Sequence, residues 1–168
     1  MTSSEIFAAI PPPLASDVLE FNHANERGVY RAAIESVAQI RKVRPVFIER
    51  LPRAEQHAYL LGCLGRAQFN LAADALLRVW LLKKHSAILI DFLNSLSIPH
   101  EHGAVEALPK TVDDAALKNA VETLLAKHPR DIVVIYLASF NSTNVENWTN
   151  LDALIKEDPR LQLNRPAM

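Results

Sequence analysis

Apolar side chains recur along most of the chain at steps of three and four residues, the period of a helix buried along one side. The clearest block covers residues 26–42, where Tyr30, Ala33, Ile34, Val37 and Ile40 share one face and Arg31, Glu35 and Gln39 fall on another. Pro45 then interrupts, which predicts a kink near Arg44, and Val46, Phe47 and Ile48 resume for one or two turns before Pro52. A short helix is predicted over 53–64. Residues 67–82 are rich in Ala and Leu and apolar around most of the circumference, so they predict a central helix buried on several sides. Ser86 is placed to cap a helix over 87–96, which Ile98-Pro99 closes, and residues 99–109 read as a loop. Thr111 stands at capping-box spacing from Asp114 and opens a helix with a stripe of Leu117, Val121, Leu124 and Leu125, stopping near His128-Pro129. A last amphipathic helix is predicted over 147–157, before Asp158-Pro159.

The run DIVVIYLASF at 131–140 is the one ambiguous block, because β-branched residues also build buried strands. An internal comparison decides it. Leu81-Leu82-Lys83-Lys84-His85 is echoed by Leu124-Leu125-Ala126-Lys127-His128, and Ile88, Leu89, Phe92, Leu93 and Leu96 by Ile132, Val133, Tyr136, Leu137 and Phe140. Both sets lie on one helical face, so both segments are read as helices. The offset of about 43–44 residues is the size of a HEAT or armadillo unit. The expected fold is therefore all-α: a compact multi-helix bundle or a short HEAT-like array of helical hairpins, with about seven helices. The expected organisation is an N-terminal arm at 1–13, a single helical domain at 14–158 and a C-terminal tail at 159–168.

Composition narrows the class further. The 168 residues are 49% hydrophobic and 22% charged, and a chain of this length buries enough surface to fold without a disulfide or a metal. The single cysteine, Cys63, lies in an apolar helical pattern and reads as a small core residue, with Gly62 and Gly65 allowing close helix approach. Residues 1–10 hold Glu5 and no Lys or Arg, unlike a secretory leader, and the longest apolar stretches are broken by Arg78, Lys83, Lys84 and Asp91, too short to span a bilayer. A soluble, cytoplasmic protein with no membrane partner is expected. With 4 glycines, no phosphate-binding glycine loop is present, and no cofactor is expected.

Candidate chemistry is sparse. His100-Glu101-His102 in the 99–109 loop, with Glu106 nearby, is a partial metal-ligand set, because two imidazoles and a carboxylate match zinc chemistry but leave a ligand to be found elsewhere. His57 could serve as a base beside a carboxylate, yet no Ser or Cys nucleophile accompanies it in a recognisable motif. His85 and His128 each follow a lysine at a helix end, where a cation favours the helix dipole.

Charge is uneven. Residues 26–85 carry eleven Lys/Arg against five Asp/Glu, and residues 86–168 carry seven against eleven. The basic residues concentrate at Arg41, Lys42, Arg44, Arg50 and Arg53, a patch suited to an acidic protein surface or to phosphate. Glu49 and Glu55 within it, and the lack of a stacking set of aromatic residues, make nucleic acid the least favoured partner. Phe7, Trp80 and Trp148 suggest more apolar surface than one core hides, which would mark an interface. The expected function is a non-enzymatic helical module that binds a protein partner or itself, as a homodimer or other homo-oligomer. The alternatives are a metal- or ligand-binding enzyme or sensor at the histidine loop and a nucleic-acid binder at the basic segment.

Overall fold

The computed structural model describes residues 1–163. These form ten α-helices: α1 (Ser3–Ala9), α2 (Pro12–Asn25), α3 (Arg27–Arg41), α4 (Pro45–Glu49), α5 (Arg53–Leu64), α6 (Asn70–Val79), α7 (Ser86–Ser95), α8 (Asp114–Lys127), α9 (Arg130–Thr143) and α10 (Thr149–Glu157). The only β feature among them is an isolated bridge between Glu101 and Ala104. The chain divides into two compact units, Met1–Lys84 and, within the described residues, His85–Leu163. No helix is long and apolar enough to cross a membrane.

The count of about seven helices is corrected to ten, and the difference lies chiefly at the N-terminus. Thr2 opens α1 with a full capping box, its hydroxyl accepting from the Glu5 N–H at 3.3 Å while the Glu5 carboxylate accepts from the Thr2 N–H at 2.7 Å. Pro11-Pro12-Pro13 starts a helix, because prolines in the first turn forfeit no intrahelical hydrogen bond. Ile6, Phe7, Val18 and Leu19 consequently lie in the core of the first unit. At the other end Leu161 is buried in a 3-10 turn, Pro159–Leu161, and residues 164–168 of the expected tail lie outside the described residues.

The central helix of the first unit is α6, packed against α1, α2, α3 and α5. Its predicted span of 67–82 resolves into a 3-10 turn (Ala67–Phe69), α6 itself and a π-helical segment, Trp80–Lys84. The fully buried Asn22 of α2 donates to the carbonyl of Leu76 on α6 (3.1 Å), one turn before the π segment, and to that of Val18 in its own helix (2.9 Å). Trp80 is fully buried, yet its indole N–H reaches Asp17 on α2 at 2.9 Å. Lys84 meets the same carboxylate at 2.6 and 2.7 Å. Gly65 supplies the close approach expected of it, since a Cβ there would stand 3.3 Å from that of Ala8 on α1; Gly62 has open space around it.

In the second unit α9 contacts α7, α8 and α10. Every residue from Ile132 to Ser139 is buried, so the β-branched run is a helix enclosed on nearly all sides. Phe92 of α7 packs edge-on against Tyr136 (5.6 Å) and Phe140 (5.2 Å), and Phe140 lies 5.3 Å from Trp148. Two helix starts move from their predicted places. Asp113, not Thr111, caps α8, accepting from the Ala116 N–H at 3.0 Å. Ser86 is the first residue of α7 rather than its cap.

Candidate functional site

The stretch 41–53 that concentrates basic residues does not stay together. α3 ends where Lys42 adopts φ 57°, ψ 38°, and the Lys42 and Val43 N–H groups turn back to the carbonyls of Gln39 (3.2 Å) and Ala38 (3.0 Å). Pro45 then starts α4, which is only five residues long and stops before Pro52. Ile48 is its fully buried anchor. With one turn available and Ile48 pointing inward, Val46 and Phe47 point out, 40% and 53% exposed. Ile40, predicted within the buried stripe of α3, is 39% exposed in its last turn.

Around these apolar side chains stand Arg41, Lys42, Arg44 and Arg50, all exposed. Phe47 meets Tyr59 of α5 edge to face at 6.2 Å, and the Arg41 Nε donates to the Tyr59 hydroxyl at 3.4 Å. Residues 40–50 thus bring exposed apolar side chains and exposed cations to the outside of α3 and α4, with Tyr59 of α5 in contact with both Phe47 and Arg41. Lys42, Arg44 and Arg50 make no ion pair with a described residue, and Glu49 on the rim lies 3.8 Å from Arg31. Burial of Ile48 turns Phe47, the one aromatic residue of the basic segment, outward.

Arg53 goes elsewhere. Its guanidinium donates to His23 Nδ1 and lies 3.6 Å from Glu20, both on α2. Beside it His57 places Nδ1 3.3 Å from Glu20, while its Nε2 is buried without a hydrogen-bond partner. His23 packs edge-on against Tyr30 at 5.0 Å, and Tyr30 lies 6.1 Å from the His57 ring. The Tyr30 hydroxyl donates to Gln56 Oε1 at 2.5 Å, and Gln56 Nε2 donates to the Ile48 carbonyl at 3.0 Å. Burial holds both His57 and His23 below the ordinary histidine range; Arg53 pushes each the same way and Glu20 opposes. Burial pushes the Tyr30 hydroxyl up to about 12. Sequence reasoning singled out His57 and Arg53 separately; it missed Glu20, His23, Tyr30 and Gln56, because nothing in the linear pattern shows α2, α3 and α5 converging.

The histidine loop is built as a turn. His102 (φ 51°) and Gly103 (φ 90°) are its two central residues, and Glu101 and Ala104 exchange backbone hydrogen bonds of 2.9 Å across it. His100 braces the turn: its Nδ1 accepts from the Gly103 N–H at 3.0 Å and its Nε2 meets Asn94 Oδ1 at 2.7 Å. Both imidazole nitrogens of His100 are therefore engaged, and Glu101 and His102 are exposed. Among the described residues no group of three or more His, Cys, Asp or Glu side chains is placed to hold a metal ion.

The other candidates have local roles. His128 Nε2 contacts Asp91 of α7 at 2.7 Å, joining α8 to α7, and this hydrogen bond, helped by Lys127, holds the Asp91 carboxyl below its usual range against the opposing effect of burial. Cys63 is buried in the first unit, which pushes its thiol up and away from reactivity. The three aromatic residues expected to mark an exposed surplus, Phe7, Trp80 and Trp148, are all buried. The Trp148 indole donates to the Pro109 carbonyl at 2.8 Å, which is how a tryptophan in a polar stretch is satisfied internally. No family model, curated protein or solved structure matches the chain.

Proposed function

We propose that the protein is a non-enzymatic helical interaction module whose contact surface is the outer face of α3, α4 and α5. The observation that carries this reading is the 53% exposure of Phe47, together with exposed Val46 and Ile40, in a stretch whose cations Lys42, Arg44 and Arg50 make no ion pair with a described residue. Large apolar side chains exposed together and rimmed by charge are a feature of binding surfaces, whereas singly exposed residues such as Leu71 on α6 need no such explanation. The HEAT-like part of the reading draws on α8 and α9, two fourteen-residue helices joined only through His128-Pro129 as a helical hairpin.

Self-association through this face about a two-fold axis is disfavoured, because each copy would set its own cations against those of the other. A distinct partner avoids that repulsion. The test is site-directed photo-cross-linking in cells, with a photoreactive phenylalanine analogue at position 47 and, as control, at the 84%-exposed position 71. Protein cross-links at 47 that are absent at 71, and lost when Arg44→Glu and Arg50→Glu are added, are the expected result. Equal capture at both positions, or none at 47, would remove the assignment.

A further inference from the structure

We infer that the α3–α4–α5 face recognises an acidic peptide segment carrying bulky apolar side chains; this rests on the reading of that face as the contact surface. The first argument is charge. Lys42, Arg44 and Arg50 have no carboxylate partner within the described residues, so a ligand that brings carboxylates gains charge-assisted hydrogen bonds without breaking any. Arg41 is already oriented by Tyr59, so its fork is partly ordered before a ligand arrives.

The second argument is the kind of apolar surface. Val46 and Ile40 are aliphatic and do not stack on nucleobases, and the Phe47 ring already presents to Tyr59 edge to face instead of standing in a row of stacking platforms. Such a centre favours Leu, Ile, Met or Phe over a base. Third, Glu35, Glu49 and Glu55 are exposed on the same three helices. A planar anionic bilayer must meet these carboxylates together with the arginines, whereas a peptide can place its acidic groups only where the cations are.

Geometry supports a preformed site. α4 is pinned from below by the buried Ile48, by the Gln56 hydrogen bond to the Ile48 carbonyl, and by prolines at both of its ends. The segment displaying Phe47 therefore pays little conformational entropy when a ligand docks.

The experiment pans the full chain against a displayed library of random peptides, with counter-selection on Phe47→Ala. Enriched sequences should combine several Asp or Glu with Leu, Ile, Met or Phe. A synthetic peptide from that set should lose at least tenfold in affinity for Phe47→Ala, and likewise for the Arg44→Glu/Arg50→Glu double variant, while both variants keep the wild-type circular dichroism and melting temperature. Its affinity should fall with added salt. Enrichment of basic or uncharged peptides overturns the inference, as does absence of any enrichment that depends on Phe47. So does Phe47-dependent binding that appears instead with an oligothymidine strand or with phosphatidylserine–phosphatidylcholine vesicles. Cross-linking at position 47 separates the two levels: capture of protein there with no acidic peptides enriched refutes the peptide class and leaves the contact surface standing, and no capture refutes the surface itself.

Discussion

Helices α3 and α5 each take part in two polar regions of the first unit, one enclosed with α2 and one exposed with α4. In the enclosed region nearly every polar group has a protein partner: Tyr30 donates to Gln56, Gln56 donates to Ile48, and Arg53 serves Glu20 and His23. On the exposed face Lys42, Arg44 and Arg50 have no ion-pair partner among the described residues, and Phe47 is half exposed. The contrast separates structural from available chemistry. A cation held between a carboxylate and an imidazole of the fold, as Arg53 is at the half-exposed edge of the enclosed region, is committed to the structure, while one left without a described partner beside apolar surface costs stability little and remains free for a ligand. Arg50 and Arg53 lie three residues apart and fall on opposite sides of that division.

Gln56 is the residue through which the two regions meet, so removing it should have the largest effect. Gln56→Ala leaves the Tyr30 hydroxyl without its acceptor and the Ile48 carbonyl without its side-chain donor, in a buried setting. A loss of about 2–3 kcal/mol in urea unfolding is expected. Because α4 loses its tether, cross-linking at position 47 should weaken in the same variant. A wild-type unfolding midpoint would show that the enclosed region does not hold the exposed one in place.

The enclosed region should also make stability depend on pH. His57 and His23 have folded-state pKa values depressed below the ordinary 6.5, so below about that pH the unfolded chain binds protons that the folded chain does not. Stability from these groups is fully present above pH 6.5 and falls as the pH drops from there toward the folded-state values. Carboxylates such as Asp91, depressed from 3.8, lose their contribution only in a more acidic range. Melting curves across the weakly acidic range should show a downward slope in wild type that is reduced in His57→Asn; an unchanged slope would assign it to other groups.

Smaller effects are expected on the exposed face. Lys42 holds a left-handed conformation that a side chain disfavours, so Lys42→Gly should stabilise the fold by about 0.5–1 kcal/mol while weakening binding of an acidic peptide. Opposite signs for stability and binding at one position would be a direct sign that this face is not optimised for the fold. Arg44→Glu/Arg50→Glu should change unfolding free energy by no more than about 0.5 kcal/mol. A larger loss would show that these arginines belong, like Arg53, to the structure.

Much of the fold was legible from residue pattern because helices bury periodic stripes. Tyr30, Ala33, Ile34 and Val37 are buried as their spacing indicates, and residues 131–140 are helical as the comparison with 88–96 indicates. Thr2 and Glu5 stand at capping-box spacing, a local signal of the start of α1. Asp113 and Thr111 are both good caps by residue type, and the structure uses Asp113. The π segment at Trp80–Lys84 carries no local signature; its residues meet Asp17 on α2 and Glu26 just beyond that helix.

The site was legible only in part. The concentration of arginines was visible, but its division was not, because the direction of Arg53 is set by where α2 packs. Phe47 looked like one apolar residue among three; it became exposed because a helix of one turn can send only one of Val46, Phe47 and Ile48 inward. The amino-acid sequence by itself determined that the chain is helical and where its prolines break it, since periodicity and backbone restriction act locally. Which polar groups are consumed and which are left free was decided by tertiary packing, because a side chain's partners come from helices far apart along the chain.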